Sequence, residues 1–144
     1  MSQLNIKQAF VSHLIDNLPT GVTIDDVSFE NKRFDPTGKA LWLAAYYIPA
    51  TSEMMGKSPT DSDEERGFYQ VSVFIPTNIE NGTYDNSLLQ AIDEIKATFS
   101  YNTELVYNGQ VVNILNTDIN SGNYSESWYQ RDLTINFLTF TNRG

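Results

Sequence analysis

Hydrophobic positions recur along this chain with two different periods, and the changes of period mark its elements. Between residues 3 and 17, Ile6, Ala9, Phe10, His13, Leu14 and Asn17 fall on one side of a 3.6-residue repeat, which predicts an amphipathic helix. LPTG at 18–21 stops it. VSFENKRF (27–34) reads as a strand. Asp35-Pro36-Thr37-Gly38 then carries the Pro and Gly of a type I turn, so a hairpin is expected with the strand ALWLAAYYIP that follows. That returning strand is apolar on both faces, with Leu41, Leu43, Ala45 and Tyr47 on one and Trp42, Ala44, Tyr46 and Ile48 on the other. A sheet with one wet face does not ask for this. A second layer or another subunit is expected to cover the outer side.

A polar, charged stretch without hydrophobic period follows, and from Gly67 the period becomes two: Tyr69, Val71, Val73 and Ile75 point one way, Phe68, Gln70, Ser72 and Phe74 the other. The stretch from about 50 to 67 is therefore expected to be a long flexible loop set against a core strand. Loops of that length in compact domains are mostly functional or disordered. Beyond Pro76, TNIENGTYDN leads into a second helix at about 86–99 with the stripe Leu88, Leu89, Ile92, Ile95 and Phe99, capped by Asp85 or Asn86. TELVYNGQVVNIL predicts a hairpin about Asn108-Gly109. The last strand runs from about Trp128 to Phe140, with Leu133, Ile135 and Phe137 in phase and a slip at Leu138 that suggests a bulge. The order α-β-β-β-α-β-β-β predicts one α+β domain over residues 1–144. It would be a two-layer sandwich, with a mixed or antiparallel sheet of five to six strands and both helices on one face.

Composition narrows the function more than the fold. A length of 144 residues, 40% apolar and 19% charged, suits one globular core. The absence of cysteine removes disulfides and thiolate chemistry. A net charge of -9 argues against a protein that grips phosphates and for one that favours neutral or basic partners. No run is long and apolar enough for a bilayer, and MSQLNIKQAFVSHL lacks a basic leader before an apolar stretch, so a cytoplasmic site of synthesis and no membrane partner are expected.

Catalytic patterns are missing. The single histidine, His13, sits on the inner side of the first helix, where packing explains it better than chemistry. Asp61, Asp63, Glu64 and Glu65 lack the glycine and spacing of a calcium loop, and the adjacent pairs Asp25-Asp26 and Asp93-Glu94 point apart. No phosphate-binding or nucleophile-elbow motif occurs. No catalytic residue, cofactor or metal site is expected. Aromatics are the richer signal: Trp42, Tyr46, Tyr47 and Trp128 lie in strands without interleaved Lys and Arg, which favours a protein interface over a nucleic-acid platform.

In succession, FENKRFDPTGKALWLAAYYIPA, GFYQVSVFIP, LLQAIDEIKATF and ESWYQRDLTINF resemble the segments of siphophage-type tail terminator (tail completion) proteins, in order over residues 3–140. The resemblance implies a virion protein at the head-proximal end of the tail, assembled in the host cytoplasm. There a homo-hexameric ring would cap the tail tube, stop its polymerisation and offer a surface to the neck or head-completion protein. Genomic DNA would pass through without specific binding. On this reading Trp42, Tyr46, Tyr47 and Trp128 are candidates for the contact between subunits. The candidate loop contacts with tube or neck are Met54 and Met55 as apolar anchors, with Lys57, Asp61, Asp63, Glu64 and Glu65 as a charged rim. A head-closure or neck ring protein is the nearest alternative, and a non-catalytic acidic adaptor the alternative from another class.

Overall fold

The structure, a computed structural model, describes residues 2–54, 62–77, 86–125 and 127–142. Helix α1 spans Ser2–Asp16 and buries Ile6, Ala9, Phe10 and Leu14, the predicted stripe. Helix α2 spans Asn86–Thr98 and buries Leu88, Ala91, Ile92 and Ile95; Phe99 is buried just beyond it. The residues expected to lead into α2, 78–85 with Asp85 as a cap, lie outside the described ones. His13 is a packed histidine. Its Nε2 donates to the Thr98 carbonyl (2.8 Å) and its ring meets Phe99 edge-on, so it ties the last turn of α1 to the end of α2.

Seven strands form one sheet: β1 (Val27–Phe29), β2 (Trp42–Met54), β3 (Ser62–Pro76), β4 (Glu104–Tyr107), β5 (Gln110–Ile119), β6 (Asn123–Tyr124) and β7 (Trp128–Asn142). Their order is β1-β2-β3-β7-β5-β4, with β6 paired to β7. All neighbours are antiparallel except β1 and β2. Both helices bury their stripes in a single cluster with Leu43, Ala45, Tyr69, Val71, Val73, Ile75, Leu133, Ile135 and Phe137. The domain is thus an α+β two-layer sandwich with the helices on one face. Phe10 sits at its centre, 4.7 Å from Tyr69 in a stack tilted by only 9° and 5.2 Å from Phe137.

The hairpin at Asn108-Gly109 forms as expected, with φ of 50° and 79° at its two central residues, the left-handed pair a tight two-residue turn requires. Four other expectations change. The first strand covers only 27–29, and it pairs with β2 in parallel (Val27 opposite Leu43), so residues 30–41 make a crossover and not a hairpin. The turn inside that crossover is Pro36–Lys39, closed by Lys39 N–H to the Pro36 carbonyl (3.1 Å). Gly38 stands at its third position with φ 80°, as a type II turn demands. Thirdly, the polar stretch is largely strand. Residues 51–54 and 62–66 continue β2 and β3, paired from Thr51 opposite Arg66 to Met54 opposite Asp63 after an irregularity between Pro49 and Thr51. The backbone ladder overrides a side-chain pattern that no longer needs to alternate once the strands pass beyond the helices.

The fourth change concerns the slip at Leu138. β7 pairs with β3 without interruption from Trp128 to Asn142, and the irregularity lies in β5, between Ile114 and Asn116. Thr139, fully buried on the helix side, keeps the phase by donating its hydroxyl to the Val111 carbonyl (2.6 Å). Leu138 and Phe140 belong to the opposite face.

The 20–39 region is held by Asp26. Its carboxylate accepts from Lys39 Nζ (2.9 Å) and from Thr23 N–H (3.1 Å), closing a short 3₁₀ turn at Ile24–Asp26. The Lys39 hydrogen bond, then the Thr23 N–H, hold this carboxyl below its ordinary value. A lowered folded pKa contributes stability above the unfolded value and loses it as pH falls through the folded one. Asp26→Asn should therefore cost at most about 1 kcal/mol at neutral pH, as for a lost cap or part-exposed ion pair. The gap from wild type should close in urea melts at pH below the carboxylate range. Phe10→Ala, by contrast, should cost about 3–5 kcal/mol at every pH, because it empties the shared site of both helices and the sheet.

Candidate assembly surface

The face of the sheet without helices is read from the ladder. Trp42, Ala44, Tyr46 and Ile48 on β2 stand opposite Phe74, Ser72, Gln70 and Phe68 on β3, which stand opposite Gln130, Asp132, Thr134 and Asn136 on β7. Three zones result.

At one end Trp42 is stacked on Phe74 with centroids 4.0 Å apart, meets Trp128 edge-on at 5.7 Å, and is covered by Phe34 at 5.0 Å. Phe34 comes from the 30–41 crossover, which therefore passes over this face. Here the chain supplies its own second layer, a small satellite core under a long connection. Trp42 Nε1 is buried without an acceptor. In the middle lies a polar belt. Ser72, itself buried, donates to Asp132 Oδ1 (2.5 Å), Gln130 donates to the same oxygen (3.1 Å) and Gln70 donates to Ser72 (3.1 Å). Towards β5, Asn136 donates to Asn116 (2.7 Å). At the far end apolar groups return around the Glu64–Arg66 ion pair: Tyr46, Ile48, Phe140 and Val111 are 36–46% exposed, and Phe68 and Leu138 are half-buried.

The candidate subunit-contact residues divide accordingly. Tyr46 is on the open part of the outer face. Trp42 and Trp128 are on that face but packed within the chain. Tyr47 points to the helix side, where its hydroxyl donates to Gln3 Oε1 and its ring stacks near Phe137. Burial, with the Glu65 charge nearby, pushes its phenol up to about 12. The even spacing of the strand, 42 and 46 against 47, already separated these faces. Sequence reasoning put Ile48 on the outer face without naming it a contact residue, and passed over Phe140 and Val111. The signal was present in the apolar run FLTF, which was assigned to a bulge.

Among the loop candidates, Met54 ends β2 and Asp63 lies early in β3; Met55, Lys57 and Asp61 lie outside the described residues. Glu64 pairs with Arg66 (3.1 Å) on the outer face. Glu65 faces the helices and accepts from Gln3 Nε2 (2.7 Å), which completes a Tyr47–Gln3–Glu65 chain at the start of α1. A cleft of about 590 Å³ lies between α2 and the 20–26 and 38–41 segments. Its polar groups already bond one another, Thr20 to Glu94 and Lys39 to Asp26, and no nucleophile with an adjacent base is assembled there. Among the described residues, no three His, Asp or Glu side chains converge as a metal site, and no helix is long and apolar enough to cross a membrane.

One solved structure superposes on this chain with a TM-score of 0.71 at 22% identity over 96% of each chain, a likeness of fold alone. No curated protein matches. The family model described as phage tail terminator protein matches residues 5–137, which include both helices and nearly all of the sheet. The chain belongs to the phage tail terminator family, and is a structural component of a bacteriophage tail.

Proposed function

We propose that this protein forms a hexameric ring at the head-proximal end of the tail. The ring would cap the tail tube, end its polymerisation and present a surface to the neck or head-completion protein. The observation that carries this reading is the outer sheet face. Its far end exposes Tyr46, Ile48, Val111 and Phe140 around the Glu64–Arg66 pair, and a terminator must contact both its own copies and the tube. Contiguous exposed apolar residues on one face mark an interaction surface. The role needs no catalysis: it is stoichiometric binding at the end of a polymer. An acidic ring, with net charge -9 per chain, would also let genomic DNA pass without holding it.

The extended β2–β3 hairpin beyond Pro49 and Gly67 suits contact with tube or neck. It continues the sheet past the helices, so its outer residues have no covering layer within the described chain. Removing it touches no residue of the buried cluster.

Multi-angle light scattering of the purified protein should give six times the chain mass; a monomer at all attainable concentrations overturns the ring. Tyr46→Ala is the cleaner probe of the face than Trp42→Ala, because Trp42 also holds Phe34 and Phe74. A central aromatic contributes about 2 kcal/mol or more to association, so Tyr46→Ala with Ile48→Ala should lower assembly about 30-fold while leaving the urea midpoint nearly unchanged. Replacing 52–64 by a two-residue turn should leave the fold intact. In phage assembly it should give tails of uncontrolled length or tails that fail to join heads. Normal tails from that variant would show that the hairpin contacts neither partner.

A further inference from the structure

The two lateral edges of the sheet differ in charge at the same height. On one edge, the turn after β1 is closed by Lys32 N–H to the Phe29 carbonyl (3.3 Å), and the Glu30 carboxylate accepts from Tyr47 N–H (2.7 Å). These bonds fix residues 30–33 beside Tyr46 and Tyr47. Lys32 and Arg33 are exposed there and enter no ion pair among the described residues. Glu30 keeps its charge against the neutral Tyr47 amide, so the turn carries two cations and one acid and is net positive, with Tyr46 and Ile48 exposed on the neighbouring strand.

On the opposite edge, β4 pairs with β5 only from Gln110 to Asn113, and Asn102 and Thr103 bond Ile114. Asn116–Ile119 therefore has β7 on one side and no strand on the other among the described residues. Asp118 is exposed in this open stretch, touched only by a long contact from Asn136 (3.4 Å), and Ile119 is 40% exposed after it. Exposed Glu104 lies further along the same edge, while α2 presents one exposed acid, Asp93, and one exposed base, Lys96. The ladder sets the height: Asp118 is opposite Thr134, Thr134 opposite Gln70, and Gln70 opposite Tyr46. The β1–β2 register ends at Phe29 opposite Ala45 and Glu30 bonds the Tyr47 amide, so the turn that carries Lys32 and Arg33 begins at the other end of the Asp118 rung.

We propose that these edges meet between copies of the chain. In the contact, Asp118 and Ile119 of one subunit would lie against Lys32, Arg33, Tyr46 and Ile48 of the next. The inference rests on the ring reading and specifies its lateral contact. A surface that meets a different surface on its neighbour is heterologous, and such contacts close into rings when the rotation allows. Charge at an open edge also discourages unwanted strand pairing. That role needs one sign or either, whereas opposite signs on opposite edges at one height fit a partner that repeats the same chain.

Two charge reversals test this, each repulsive to itself and complementary to the other. K32E/R33E makes both edges acidic, and D118K makes both basic. Each alone should lose assembly by about tenfold or more in sedimentation or light scattering, since like charges across an interface oppose binding. An equimolar mixture should restore the wild-type particle with the two variants alternating, which an even-numbered ring permits. Circular dichroism melts check that each variant is folded. If either reversal unfolds the chain, the neutral pair K32Q/R33Q and D118N takes its place, and assembly should then lose its salt dependence. Rings that form normally from each reversal alone, or a mixture of folded variants that stays dissociated, overturn this contact and leave the ring standing. A wild type that is monomeric overturns both.

Discussion

The pairing of β3 on both edges, with β2 along one and β7 along the other, is the constraint on which the remaining structure depends. With both of its edges satisfied, β3 fixes the phase of its neighbours. A one-residue slip would send Tyr69, Val71, Val73 and Ile75 to the wrong face. Those four residues, with Leu133, Ile135 and Phe137 of β7, Leu43 and Ala45 of β2, and Leu105, Val112 and Ile114 of β4 and β5, form the wall on which α1 and α2 close. Phe10 of α1 then reaches Tyr69, Phe99 and Phe137 at once, so the helix face of the sheet and the contact between helices are one packing problem.

Spending both helices on one face leaves the other to be managed by different means, and the chain uses three. The 30–41 crossover lays Phe34 on Trp42 and buries the aromatic end from within. The middle is made polar and self-bonded through Ser72, Asp132, Gln70 and Gln130, which removes any need for cover. The end with Tyr46, Ile48, Phe140 and Val111 keeps exposed apolar groups around the Glu64–Arg66 pair. In a member of the tail terminator family, whose members interact with tail components, an uncovered zone thus lies beside a covered one within a single sheet face.

The candidate site was half legible for this reason. Tyr46 was placed on the outer face by strand parity, and it is exposed on that face. Tyr47 was included for its chemistry, although the same parity directs it to Gln3 and the helices. Trp42 and Trp128 were read as anchors for another chain. Trp42 packs on Phe34, Phe74 and Trp128 itself, and no local pattern predicts that residue 34 will cross the sheet to reach residue 42.

What the amino-acid sequence determined by itself was whatever depends on neighbours close in the chain. The two helical stripes, the Asn108-Gly109 turn, the strand period at 69–75 and the absence of recognised catalytic motifs all follow from spacings of a few residues. Tertiary structure decided what depends on a partner distant in sequence. β1 runs parallel to β2, and the crossover between them packs Phe34 on Trp42, where a local turn signal had suggested a hairpin. Residues 51–54 and 62–66 are strands because each completes a ladder begun elsewhere, although their side chains carry no alternation. A backbone hydrogen bond is indifferent to the side chain above it, so pairing can extend an element where the hydrophobic pattern has already ended.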